Sequence, residues 1–289
     1  MWPATQVSQV KVVSWVVVLG DSFLSDTERE FERQFLTQGF VIVPAESRHL
    51  LEQLFGTILS ETNRWLASQG KTSTLSSLQE SHKLIEQSVI NDVRLHLFAW
   101  LNSQPDIRVN YYRLASSILQ TLVGNELAMQ NKVNLSIQQP HDRTSVLEMH
   151  SDAWSGDSPF QVVLWVPLTE SSSTNAMFLL KPEKSMEAYR RTRAGELNSM
   201  AAIQAVYQAD FEPIEVNFGD ILIFDSNCLH GNQLNTTQVS RWSLNCRFTS
   251  LLAPSITPER RMGSFYSPII VRPATRMGLR AADALGLIA

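Results

Sequence analysis

Apolar residues in the first half of the chain recur at helical spacing. Residues 25–39, SDTEREFERQFLTQG, place Ser25 at an N-cap and acidic Asp26, Glu28 and Glu30 near the positive helix end. Gly39 stands where a left-handed C-cap would stop the helix. FVIVP then predicts a short strand closed by Pro44. Leu50, Leu51, Leu54 and Ile58 predict a helix over 47–68; Leu95, Leu97, Phe98 and Leu101 support another over 77–103, and a third is expected over 106–123. Near residue 130 the period changes. KVNLSIQQP, TSVLEMH, FQVVLWVPL, AMFLLKP, FEPIEVNFGD, ILIFDS and RWSLNCRFTSL are short runs rich in β-formers, separated by turn residues and interrupted by a helical stretch at 183–208. Such a series predicts an all-β core with a helical buttress, either a barrel or a double-sheet jelly roll. The expected organisation is an N-terminal extension over 1–24 and one domain over 25–289. Within that domain the helical part covers 25–125, the β-core about 130–250 and a tail 252–289.

Composition narrows the class without naming a function. Of 289 residues, 44% are hydrophobic and 18% charged, as expected of a globular chain with one substantial core. A net charge of −4 gives no general attraction to nucleic acid or an acidic membrane surface. Val10 to Leu19 is apolar apart from Lys11 and Ser14. That run is too short for a span, which needs about 20 residues. It also lacks a basic leader and a small-residue cleavage site, so it reads as a short strand or an extension. Cys228 and Cys246 are too few for a disulfide scaffold. Two buried free thiols in a reducing cytoplasm are the expectation.

The chemistry concentrates in three residues. His150 and Asp152 stand two apart in MHSDAW, at the end of an expected strand, where i and i+2 share a face. His230 closes the later run ILIFDSNCLH. Two imidazoles and a carboxylate form the facial triad of non-haem iron(II) oxygenases, which leaves coordination positions open for a cosubstrate and dioxygen. An H-x-D pair is common by chance, so the surrounding residues carry the weight. Eleven residues beyond His230 comes Arg241, with Ser243 two further on, in RWS. On a strand these share a face, and a guanidinium with a hydroxyl can hold a distal carboxylate. His141 and Asp142 are adjacent rather than two apart, so on a strand they point to opposite faces.

HSD, FGDILIFDSNCLHG and RWS, in this order and spacing, with the opening helix followed by QGFVIVP, resemble the phytanoyl-CoA hydroxylase-like branch of the iron(II)- and 2-oxoglutarate-dependent oxygenases. The resemblance covers about residues 25–250. HSDAWSGDSPFQVVLWVPL is similar to a subgroup found among carbohydrate-modifying gene clusters. The resemblance implies a double-stranded β-helix (a cupin-like jelly roll) and iron(II) on His150, Asp152 and His230. It also implies 2-oxoglutarate anchored by Arg241 and Ser243, with dioxygen as second cosubstrate. Asp152 stands where related halogenases carry a small residue, which argues against halogenation.

Further candidates remain two-sided. Asn134, Ser136 and Gln138 alternate on one expected strand. Related enzymes contact 2-oxoglutarate from this strand, making Gln138 the candidate, unless that side of the strand faces solvent. Trp165 either walls the cosubstrate pocket or packs in the core; Trp154 either offers a stacking face to a sugar ring or anchors a loop. Asp225 and Asn227 either orient His230 or cap a turn. Gly219-Asp220 reads as a tight turn. Lys181, Lys184, Arg190, Arg191 and Arg193 form either a solvated helix face or, chiefly through Arg190 and Arg191, a clamp for an anionic substrate. The expected activity is hydroxylation of a C–H bond on a small polar metabolite, such as a sugar or sugar conjugate. Desaturation, epimerisation and ring closure are alternative outcomes. Rival readings are a non-catalytic jelly-roll binding protein and a cupin-like metalloenzyme without 2-oxoglutarate.

Overall fold

The computed structural model describes residues 23–254 and 257–287. The run Val10 to Leu19 lies outside them. Ser25 and Glu28 form a reciprocal capping box at the start of α1 (Asp26–Gln38), and Gly39 ends it at φ +82°, its N–H donating to Phe35 O. Each such cap is worth about 1 kcal/mol. The chain then enters β1 (Phe40–Pro44) and α2 (Arg48–Ser68), the latter capped by Ser47.

The long helix expected over 77–103 is broken. Two 3-10 turns, Leu78–Lys83 and Gln87–Val89, precede α3 (Ile90–Leu101). Tertiary bonds explain the break: Trp242 Nε1 donates to Ser81 Oγ, and Ser240 N donates to Gln79 O. The helix expected over 106–123 is likewise two, α4 (Ile107–Arg113) and α5 (Ser116–Val123). Glu46, some seventy residues upstream, accepts from the backbone N–H of Ser117 and Ile118 and from the Ser116 hydroxyl, so it starts α5 afresh.

Among the described residues, ten strands follow or accompany these helices. After β2 (Leu127–Gln130) and β3 (Asn134–Gln138) come β4 (Gln161–Pro167), β5 (Met177–Leu179), α6 (Pro182–Arg193), α7 (Met200–Tyr207) and β6 (Glu212–Ile214). Then come β7 (Asp220–Asp225), β8 (His230–Asn232), β9 (Arg241–Ser250), β10 (Tyr266–Ile270) and α8 (Pro273–Ala284). The pattern of the sequence missed β2, β10 and α8. β1, β7, β4, β9, β2 and β10 pair in that order, β3 also pairs with β9, and β6, β5 and β8 form a second, smaller sheet. All of these pairings are antiparallel. Among the described residues no helix is long and apolar enough to cross a membrane.

β4, β7 and β9 are largely buried on both faces, and their alternation separates two cores. Val162, Leu164 and Val166 of β4, Ile221 and Ile223 of β7, and Trp242, Leu244, Cys246 and Phe248 of β9 face the helices. Val163, Trp165, Leu222 and Phe224 face the smaller sheet, packing on Met177, Leu179 and Ile214. The two sheets therefore stack face to face with α2 to α5 outside the larger one, which is the jelly-roll architecture, while α6 and α7 pack on Met149, Leu180 and Leu229. Tyr111 ties the layers together by donating to Leu164 O at 2.8 Å.

One expected strand is not a strand, and another is shorter than expected. TSVLEMH forms a 3-10 turn, Arg143–Ser145, and a loop, because Asn232 takes the place of a ladder partner: its side chain accepts from Leu147 N and donates to Ser145 O. ILIFDSNCLH divides as well. β7 ends at Asp225, whose carboxylate accepts from Asn227 N in a tight turn, and His230 opens β8 in the other sheet. We predict that Glu46→Ala lowers stability by about 1–2 kcal/mol in urea unfolding, with the β-core intact. An unchanged midpoint would contradict the capping account of α5.

Candidate metal centre and anion pocket

His150 and His230 are neighbours because their backbones bond each other reciprocally: His150 N donates to His230 O at 2.9 Å and His230 N to His150 O at 2.8 Å. With the Asn232 bonds, this bridge fastens the 144–150 loop to the smaller sheet. It sets the two imidazoles 4.4 Å apart, centroid to centroid. Asp152 lies beyond the bridge, not on a strand face; its N–H donates to Ser226 O, and the chain turns immediately at Ala153–Ser155. His150 Nε2 lies 3.9 Å from Asp152 Oδ1. One ligand atom from each of His150, Asp152 and His230 falls within 4.8 Å of the others.

The donor set fits a divalent metal. His150 Nδ1 bonds Glu148 O and His230 Nδ1 bonds Cys228 O, both at 2.8 Å. A carbonyl can only accept, so each Nδ1 carries the proton and each Nε2 presents a lone pair. His230 is buried, and that burial pushes its pKa down to about 4 against the pull of Asp152, so the ring is neutral at pH 7. Burial opposes the Asp152 charge. The Arg247 guanidinium, with the two histidines, outweighs it and holds the carboxyl below its usual range. Arg247 donates to both Asp152 oxygens, Nη2 to Oδ1 at 2.6 Å and Nε to Oδ2 at 2.9 Å.

Beside this cluster is a cavity of about 160 Å³, lined by all three residues and by Ser136, Trp165, Asn245, Arg241 and Arg247. Its floor is the inner face of β9, where Arg241, Ser243, Asn245 and Arg247 alternate with the apolar residues of the helix-facing side. Arg241 is 3% exposed. It donates to Ser243 Oγ, Gln138 Oε1 and Asn175 O, and its guanidinium lies 5.7 Å from the Trp165 ring centroid. Burial draws its pKa down to about 10, which leaves it charged. Among the described residues no carboxylate pairs with it. An unpaired buried cation costs several kcal/mol, more than neutral hydrogen bonds of about 1 kcal/mol each recover. An anion in the cavity would supply the missing counter-charge.

The other candidates fall unevenly. Gln138 is fully buried and braces Arg241, while its amide nitrogen donates to Gln233 O; its side of β3 does not face solvent. Ser136 lines the cavity, and Asn134 donates to Asn245 Oδ1. Trp165 is both a cavity wall and a core residue. Trp154 does not reach the cavity: it packs edge-on to Tyr189 as a loop anchor. Arg190 and Arg191 on α6 do not reach it either. Arg190 is exposed, and Arg191 pairs with Glu196 and Glu187, while Lys181 and Lys184 pair with Glu212 and Glu187. Neighbouring carboxylates thus answer most of the basic group. Asp225 and Asn227 cap the turn into β8. Cys228 and Cys246 are free and buried. The sequence reading missed Asn245 and Arg247. Continuing the two-residue period of Arg241 and Ser243 along RWSLNCR would have found both.

A family model described as phytanoyl-CoA dioxygenase (PhyH) matches residues 38–243. Among curated proteins, the streptomycin biosynthesis protein StrG of Streptomyces griseus is 26% identical over 153 residues, covering 52% of this chain and 61% of that protein. The match thus spans less than two thirds of that relative. Among solved structures, AviO1 from Streptomyces viridochromogenes Tue57 is similar with a TM-score of 0.53 at 13% identity, over 82% of this chain and 100% of that one. EvdMO1 is similar with a TM-score of 0.52 at 13% identity, over 78% and 50%. These likenesses are of fold.

The depressed pKa of His230 has a consequence for the metal-free protein. An unfolded chain protonates this residue below about 6.5, the native one only below about 4, so its contribution to stability is complete above 6.5 and is lost as pH falls towards 4. The loss is on the order of 2–3 kcal/mol. Urea unfolding with a chelator present should show it between pH 7 and 5, with a shallower dependence in His230→Phe. An equal dependence in both proteins would contradict the burial account.

Proposed function

Because the chain belongs to the phytanoyl-CoA dioxygenase family, whose cofactor and cosubstrate are iron(II) and 2-oxoglutarate, we propose that this oxygenase hydroxylates a C–H bond of a small polar metabolite, a sugar or sugar conjugate. His150, Asp152 and His230 hold the iron, and Arg241 with Ser243 holds the far carboxylate of 2-oxoglutarate. Residues 25–289 act as one domain in a reducing cytoplasm, in keeping with the two free buried thiols.

The observation that carries the reading is the pairing of two features in one cavity. One is a His, Asp, His cluster with both imidazoles oriented by backbone carbonyls. The other is a buried arginine with no carboxylate of its own. With 2-oxoglutarate and dioxygen, bound iron(II) supplies the oxidising power to break an unactivated C–H bond, releasing succinate and CO₂.

The residues have distinct tasks. The Nδ1–H bonds of His150 and His230 fix ring orientation and tautomer, keeping Nε2 free. Arg247 keeps Asp152 ionised. Gln138 and Asn175 aim the Arg241 guanidinium, and Trp165 beside it excludes water, which strengthens an ion pair formed there. A binding protein with a degenerate pocket would not need the oriented ligand set, and a metalloenzyme without 2-oxoglutarate would not need Arg241. The polar lining, Ser136, Asn245 and Ser145, suits a hydroxyl-bearing substrate, and the relative named for streptomycin biosynthesis supports a small metabolite.

Succinate formation from 2-oxoglutarate should be stimulated by one or more members of a panel of sugars, aminosugars and their conjugates, with a product 16 mass units heavier, the mass of one oxygen atom. Arg241→Met should raise the 2-oxoglutarate concentration needed by at least about 30-fold, as expected for loss of a buried ion pair. Succinate formation by the wild type that is insensitive to every such compound would sink the substrate assignment; an unchanged requirement in Arg241→Met would sink the anchor.

A further inference from the structure

A strand pleat would set the direction of a side chain, but Asp152 is on no strand, and its chain turns directly after it. Something else must aim its carboxylate. Arg247 does so from β9, whose register at this point sets it opposite Val163 of β4. The guanidinium grips both Asp152 oxygens and also meets Asp157, Nε to Oδ2 at 3.1 Å. Asp157 N donates to Asp152 O, so one tight loop delivers both carboxylates to one arginine.

The network continues outward. Asp157 is 1% exposed, and its other oxygen lies 3.1 Å from Arg260 Nε. Arg260 belongs to the C-terminal segment and rests on the Phe265 ring at 4.2 Å. The same segment touches the loop twice more: Thr257 Oγ1 donates to Gly156 O, and Ser158 Oγ donates to Pro254 O. Gly156 has φ +90°, and a Cβ there would sit 3.1 Å from Thr257 Cγ2, so the loop and the segment are fitted to each other. Asp152, Arg247, Asp157 and Arg260 thus alternate in charge from the cavity to the C-terminal segment. Arg247 and Arg260 both lie beyond residues 38–243, the part of the chain that the family model matches.

We propose that Arg247 is a positioning residue that holds the Asp152 carboxylate in its metal-binding orientation, and that Arg260 completes the hold through Asp157, making the C-terminal segment part of the metal site. This rests on the metal reading above. A guanidinium beside a divalent ion also repels it and competes for the carboxylate. Positioning and repulsion therefore predict opposite signs when Arg247 is removed, and positioning is the larger effect here because among the described residues no other side chain hydrogen-bonds the Asp152 carboxylate.

Cobalt(II) added to the metal-free protein, read by its visible spectrum, separates the outcomes without any need for activity. Arg247→Met should weaken cobalt affinity about 10–100-fold and alter the spectrum, with Arg247→Lys in between because one ammonium cannot span both oxygens. Arg260→Met, a change at a partly exposed residue, should weaken it a few-fold in the same direction, measured at a temperature where the variant is fully folded. Affinity equal to or tighter than wild type in Arg247→Met overturns the positioning role. Should that variant not fold, Arg260→Met decides. Wild-type affinity in Arg260→Met overturns the role of the C-terminal segment. A wild-type protein that takes up no cobalt overturns the metal reading itself, and this inference with it.

Discussion

A strand buried on both faces cannot carry arginines on one of them unless something inside the molecule answers their charge. β9 is such a strand: Trp242, Leu244, Cys246 and Phe248 fill the core under the helices, and Arg241, Ser243, Asn245 and Arg247 point between the sheets. Two cations enter a region of low dielectric together. Arg247 finds Asp152 and Asp157. Arg241 finds only neutral acceptors. The cost of burying Arg241 is borne by the rest of the fold and would be recovered by a carboxylate in the cavity, the arrangement expected where function outweighs stability.

The sheets supply what β9 lacks. β8 belongs to the smaller sheet, and its reciprocal bonds with the His150 backbone carry a loop residue across to face β9. Phe224, from the inner face of the larger sheet, meets His230 edge-on at 4.9 Å and keeps that ring dry and neutral. The proposed metal ligands thus come from the smaller sheet and its attached loop, and the proposed anion anchor comes from the larger. The cavity between them is the gap that face-to-face packing leaves where polar residues replace apolar ones. The helices take no direct part; α3, α4 and the turns before α3 hold the outer face of the larger sheet through contacts such as Tyr111 to Leu164 and Trp242 to Ser81.

Much of this was legible in the sequence, and the illegible parts share one cause. The capping box of α1, the left-handed stop at Gly39 and the alternation along β9 are local, so a single stretch of residues specifies each. The candidate metal residues are legible as a spacing, but not through a strand pleat between His150 and Asp152, since Asp152 lies in a turn. The loop takes its shape from Asn232, more than eighty residues later, and Asp152 from Arg247. The break between α4 and α5 depends on Glu46 and the turns before α3 on Trp242, again partners far along the chain. β10 carries Pro268 at the edge of its sheet, where no neighbour needs that N–H, so its pattern reads poorly as a strand. The basic residues of α6 read either as a solvated face or as a clamp; Glu187 and Glu196 are near in sequence, but the Glu212 partner of Lys181 is brought in by the fold.

The central claim is that one cavity holds a metal and a 2-oxoglutarate together. The most direct measurement is anaerobic addition of 2-oxoglutarate to the iron(II)-loaded protein, following the weak visible charge-transfer absorption of the chelate. The account predicts a saturable band in the wild type, lost in His150→Ala and shifted to higher 2-oxoglutarate concentration in Arg241→Met. A wild-type protein that binds iron(II) but develops no band at any 2-oxoglutarate concentration would contradict it.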